Sequence, residues 1–145
     1  MSGLPIARHP DPSRAAEMPY APAVEVVRPE RIFYIAGATA VPLYHQHPHV
    51  PEETVLPDDI REQTERVMAS LKLVLDDLGL TWRHVVRCTK YVTDMREAND
   101  VHAVMNKYFG DWRPTSTLLC VNNLSSPGAR VEIDMIAAIS GEDPA

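Results

Sequence analysis

A chain of 145 residues and 16.2 kDa, 45% apolar and 23% charged, has the size and composition of a single domain with a packed core. A formal charge of −6, with no cluster of Lys and Arg, argues against nucleic acid as the main partner, and no apolar run reaches the roughly 18 residues of a membrane span. Residues 1–14 carry Pro, His and Asp where a signal peptide needs a basic and then an apolar stretch, and Cys88 and Cys120 lie too far apart for a zinc knuckle or a disulfide scaffold, so a cytoplasmic protein with reduced thiols is expected.

Ten of the 13 prolines lie in the first 57 residues, so that part is expected to be rich in turns and the remainder in regular structure. The ends, 1–17 and 141–145, are expected to be flexible tails around one domain, 18–140. Residues 23–27 and 32–36 read as short strands, with Gly37 ending the second. Residues 38–57 have four prolines and no periodicity, and loops of that length are usually functional or disordered. Asp59, with Glu62 three residues on, has the spacing of a capping box. The helix it opens carries Ile60, Val67, Leu71, Val74, Leu75 and Leu78 along one face and stops at Gly79. Residues 85–92 read as a mostly buried strand. Asp94 and Glu97 open a second helix bearing Ala98, Val101, Met105, Tyr108 and Phe109, which Gly110 stops. Residues 115–121 and 130–139 close the chain as strands joined by a turn around Pro127-Gly128.

Two helices cover only one face of such a sheet. Along the last strand Val131, Ile133, Met135 and Ala137 alternate with Arg130, Glu132, Asp134, Ile136 and Ala138, so both faces hold apolar residues. Ser116, Leu118 and Cys120 likewise oppose Thr117, Leu119 and Val121. The helix-free face is therefore expected to be buried by copies of the same chain.

Seven segments, in order over about 120 residues, resemble the Rid family, also called YjgF/YER057c-like. They are Pro19-Tyr20-Ala21-Pro22-Ala23-Val24, Phe33-Tyr34-Ile35-Ala36-Gly37, Ile60-Arg61-Glu62-Gln63-Thr64, Leu78-Gly79-Leu80, Val85-Val86-Arg87, Tyr108-Phe109 and Val131 to Ala137. The resemblance implies an α+β, chorismate-mutase-like fold in the order β-β-α-β-α-β-β, a mixed sheet with two helices on one face, and a homotrimer with ligand clefts between neighbouring subunits. It also implies hydrolysis of reactive 2-imino or 2-enamino acids to 2-keto acids and ammonia, without metal or organic cofactor. In that family an arginine clamps the substrate carboxylate and a glutamate helps position the attacking water. The glutamate corresponds to Glu132. The arginine position, two residues after Pro114, holds Ser116, which offers one hydroxyl in place of a bidentate fork. His102 and Met105 stand where the family has Asn and Tyr, and Ala36 where it has Ser. The chain thus resembles the branch lacking the arginine, and its expected substrate is not a simple 2-imino acid.

Glu132 is the catalytic candidate, since burial in a dry cleft would raise its pKa toward neutrality. The alternative is an exposed strand face or an ion pair with Arg130. Tyr20, Ser116, Cys120, His102, Tyr44 and His45 are the substrate-binding candidates. Tyr20 is alternatively a core aromatic, Cys120 a small buried apolar group, and His102 a satisfied residue on the stripe of Ala98, Met105 and Phe109. His45, His47 and His49 could bind zinc, nickel or copper if the loop turned them to one point. Pro48 and the lack of a fourth ligand favour a loop rimming the cleft, so no metal is expected. Arg113, three residues from Ser116, is expected to be solvated. The reading is a cofactor-independent, deaminase-type hydrolase acting on an imine, enamine or related reactive carbonyl metabolite. The alternative is a non-catalytic trimer that binds a small metabolite. Ribonuclease activity, attributed to some of the family, is disfavoured by the acidic charge and the lack of a recognisable His/His or His/Lys pair.

Overall fold

The first long helix starts where its cap dictates: the Asp59 carboxylate accepts from the Arg61 amide at 2.9 Å, leaving Ile60 to begin the turn. In the computed structural model, which describes residues 3–141, the strands are β1 (Ile6–Arg8), β2 (Ala23–Glu25), β3 (Pro29–Ala38), β4 (Val85–Val92), β5 (Thr115–Cys120) and β6 (Val131–Ser140). The helices are α1 (Ile60–Asp77) and α2 (Ala98–Phe109). Glu62 is in the first turn of α1, but the cap is made by Asp59 alone. Asp94 caps a short 3-10 turn, Met95–Glu97, on which α2 then builds. Gly79 and Gly110 follow the two helices at φ 71° and 61°, a backbone region that side chains rarely adopt.

The main sheet runs β3-β6-β4-β5, antiparallel except for the β4–β5 pair, which is parallel. Parallel neighbours need a crossover, and α2 supplies it. Val131, Ile133, Met135 and Ala137 of β6 point to the helices and are fully buried with Val67, Met68, Leu71 and Leu75 of α1 and Val101 and Val104 of α2. Buried Gln63 links two loops to this layer: its amide donates to the Pro57 and Gly128 carbonyls, at 3.0 and 3.2 Å, and its oxygen accepts from the Arg130 amide. Both helices therefore cover one side, as the sequence order requires.

Two expectations about the N-terminal region need correction. The stretch 1–17, expected as a flexible tail, carries β1 and a 3-10 turn over Pro12–Glu17. Met1 and Ser2, and residues 142–145 of the expected C-terminal tail, lie outside the described residues. The strand expected at 23–27 does not join the main sheet but pairs antiparallel with β1, while the second strand is longer than expected, spanning Pro29–Ala38.

The other side of the sheet carries Ile32, Tyr34 and Ala36 of β3, Glu132, Asp134, Ile136 and Ala138 of β6, Arg87, Thr89 and Tyr91 of β4, and Thr117 and Leu119 of β5. Among the described residues no helix covers it, so Tyr34 is 80% exposed and Ile32 52%.

Candidate functional site

Five of the seven predicted residues fall into two pockets, three in one and two in the other. The first lies at the β5 edge. Register pairs Cys88 with Ser116 and Lys90 with Leu118, so these four side chains share the helix-facing side. α2 lays His102, Met105, Asn106 and Phe109 over them, and Pro19, Tyr20, Arg113 and Pro114 close one end, leaving a cavity of about 170 Å³. Two hydrogen bonds fix that end: Ala21 N–H donates to the Pro114 carbonyl at 3.1 Å, and Trp112 Nε1–H to the Val85 carbonyl at 2.9 Å.

The walls are largely apolar, yet three polar groups converge there. Lys90 is buried, with Nζ 2.8 Å from His102 Nε2. Burial pushes the Lys90 ammonium below the ordinary lysine value of 10.5, and no carboxylate among the described residues offsets it. Burial first, and then the charge on Lys90, lowers the pKa of His102, so its neutral ring accepts the lysine proton. Ser116 Oγ is buried with no hydrogen-bond partner among the described residues. A hydroxyl in that state costs about 1–3 kcal/mol unless something bonds to it. The Cys88 thiol, pushed up to about 12 chiefly by burial, is not a nucleophile at neutral pH.

The second pocket, of about 310 Å³, reaches from Glu132 on the helix-free side to Ser70 of α1. Glu132 lines it with Gly37, Ser126 and the rings of His45, His47 and His49. A Cβ at Gly37 would sit 3.0 Å from Glu132 Cδ and Oε2, so this glycine lets the carboxylate lie against β3. Burial, and then the charge on Asp134, raises the pKa of Glu132. Asp134 accepts from Tyr91 O–H at 3.1 Å. The alternative of an ion pair between Arg130 and Glu132 is not what forms: Arg130 bonds Glu97 instead, at 2.9 Å.

Tyr20, His102 and Ser116 thus share the first pocket, and Glu132 and His45 the second. Cys120 follows the strand side of Ser116 but is exposed and lines neither pocket, contrary to a buried apolar role. Tyr44 is 91% exposed and also lines neither. Arg113 is half-buried in the first pocket and donates to the Gly110 and Trp112 carbonyls; it precedes β5, so strand alternation does not govern it. Lys90 was missed, although a lysine in step with Cys88 and Val92 inside an apolar run is a signal for an inward cation. With it, the structure does form a His/Lys pair.

Residues 12–139 match the family described as Endoribonuclease L-PSP. The chain belongs to the Rid (YjgF/YER057c/UK114) family. It is 37% identical over 131 residues to protein DfrA of Myxococcus xanthus, covering 90% of this chain and 93% of that one. It is 28% identical over 123 residues to a RutC family protein of Pyrococcus abyssi, covering 84% and 90%. Among solved structures, the Rid family protein YyfB of Yersinia pestis superposes with a TM-score of 0.73 at 26% identity, over 93% of this chain and 98% of that one. These matches carry the family and the mixed α+β fold; they do not name a substrate.

Proposed function

We propose that this Rid protein is a deaminase-type hydrolase of an imine, enamine or related reactive carbonyl metabolite, acting as a homotrimer. The observation that carries the reading is the pair of open valences in the first pocket: among the described residues Lys90 has no carboxylate and Ser116 Oγ has no partner. A substrate oxygen, carbonyl or carboxylate, entering there accepts from both. Lys90 thereby supplies the positive charge that Ser116 lacks, so the substrate need not be neutral.

Glu132 and Ser116 lie on opposite sides of one sheet, so one chain cannot apply both to one substrate. The exposed Tyr34 and Ile32 and the half-buried Ile136 favour covering the helix-free face with neighbouring copies. In that trimer the β5-edge pocket of one copy adjoins Glu132 of the next. Ionised Glu132 then accepts a proton from water as the oxygen bonds to the C=N carbon. Nitrogen takes that proton from the carboxyl to give the neutral carbinolamine; Glu132 then relays the hydroxyl proton to the same nitrogen as the C=O forms, the C–N bond breaks and ammonia leaves with a carbonyl product. Atoms balance with water as the only co-reactant.

Mixed trimers test this. Glu132→Gln and Lys90→Met are each expected to lose ammonia release from imines generated in situ, and co-refolded mixtures of the two to regain part of it, because some clefts then combine two intact halves. Absence of any recovery in mixtures whose trimers are verified by mass spectrometry refutes the shared cleft. A metabolite that raises the melting temperature yet is not consumed would favour the non-catalytic binder instead.

A further inference from the structure

We propose that His45, His47 and His49 form a binding site for one zinc-class divalent ion, at the mouth of the pocket that Glu132 lines. The nitrogen donors of the three rings all lie within 4.8 Å of one another. The ring centroids are 4.6, 5.0 and 5.3 Å apart, so the side chains converge rather than merely alternate along the loop. In a tetrahedral shell with Zn–N bonds of about 2.0–2.1 Å, neighbouring nitrogens lie roughly 3.4 Å apart. Ring rotations of about 1 Å close that gap without moving the backbone.

A second observation bears on the donor atom. His45 Nδ1 lies 2.8 Å from the Pro42 carbonyl oxygen. A carbonyl only accepts, so the proton sits on Nδ1 and the Nε2 lone pair stays free. This is the outer partner that metal-binding imidazoles use to fix tautomer and orientation. The loop is held as well: Gln46 N–H donates to Glu53 Oε2 at 3.2 Å, and Glu53 N–H to the Val50 carbonyl at 3.1 Å.

Among the described residues no carboxylate or thiol joins the cluster. Three neutral imidazoles suit zinc, nickel or copper and not calcium or magnesium, which need oxygen. Three protein ligands also leave a position open, as in catalytic rather than structural zinc sites. The three rings line the same pocket as Glu132 and Ser126, so the ion would take water or an anionic oxygen from it as its fourth ligand. The inference does not depend on the deaminase reading, since metal binding is measured without turnover.

The test is calorimetric titration of untagged, chelator-stripped protein with zinc sulfate, alongside metal analysis of protein purified without chelator. One zinc per chain is expected, with affinity falling about 100-fold or more in His45→Ala and in His49→Ala and unchanged in Cys120→Ser. Cobalt(II) in place of zinc should give a visible spectrum of tetrahedral intensity that the variants lose. Circular dichroism shows whether the variants remain folded, as changes in an exposed loop predict. Failure of folded wild type to bind zinc or cobalt, or binding that survives replacement of all three histidines, overturns the proposal.

Discussion

Replacing Lys90 by Met should make the protein more stable, because the ammonium is buried without a carboxylate partner among the described residues. Methionine is nearly as long and carries no charge, so the cavity stays filled. Two effects oppose each other. The substitution deletes one hydrogen bond to His102, and a bond from a charged donor is worth about 1.5–3 kcal/mol. It also removes the penalty of burying an ammonium without a carboxylate, which is several kcal/mol per ion. Burial is the largest influence on the Lys90 pKa and lowers it, the opposite of what a compensating carboxylate would do. A net gain of about 1–2 kcal/mol follows, or roughly 3–6 °C in melting temperature for a chain of this size at fixed protein concentration.

The gain should depend on pH with a defined sign. Between its lowered folded value and the ordinary 10.5, folded Lys90 binds fewer protons than unfolded Lys90. Wild-type stability therefore rises with pH through that window. The advantage of Lys90→Met is complete below the window and fades toward pH 10.5. The same change removes the charge that helps to lower the pKa of His102, so the ring should titrate at higher pH by NMR. The assay is differential scanning calorimetry of both proteins across neutral to alkaline pH. A Lys90→Met protein less stable than wild type at neutral pH, or a difference that does not change with pH, would refute the claim that the ammonium is held at a cost.

Gly37→Ala is expected to leave the melting temperature nearly unchanged, since the added Cβ meets only the movable end of Glu132. On the proposed hydrolase reading it should still lower turnover about 100-fold, because it shifts the Glu132 carboxylate; a variant with wild-type turnover would show that Glu132 need not lie against β3. Asp134→Asn removes the neighbouring charge that, after burial, raises the pKa of Glu132. The acid limb of the rate profile should then move to lower pH, and a limb that stays in place would assign it to another group.

The regular elements were legible because long amphipathic periods leave one reading: α1 and α2 each present an apolar stripe, and β6 alternates from Val131 to Ala137. β1 was not, since three residues give no period and its order comes from backbone pairing with β2. Which residues share a pocket was only half legible. Alternation puts Ser116 with Leu118 on one side of β5 and Glu132 with Asp134 on one side of β6. It cannot say whether those are the same side, because the β4–β5 and β4–β6 registers decide that. The pairing of Ser116 with Cys88 and of Glu132 with Tyr91 sends them apart. The convergence of His45, His47 and His49 was hidden for another reason: loop bends bring the rings together, and no sequence period encodes those bends.

Ser116 and Lys90 belong together, and a double-mutant cycle should reveal it. An arginine at 116 would enter the pocket that already holds the ammonium, since 116 pairs with 88 and Lys90 is two residues further along the same side of β4. Diagonal positions on a sheet lie about 7–8 Å apart along the backbone, and parallel side chains of similar length hold their charged ends at a comparable separation. At an effective dielectric of about 20, two like charges at that distance repel by about 2 kcal/mol. Ser116→Arg should therefore destabilise wild type and cost about 2 kcal/mol less in the Lys90→Met background. Urea unfolding of the four proteins gives the coupling directly. If the two changes prove additive, Lys90 does not occupy the electrostatic place of the missing guanidinium, and the charge that greets a substrate in this cleft must come from elsewhere.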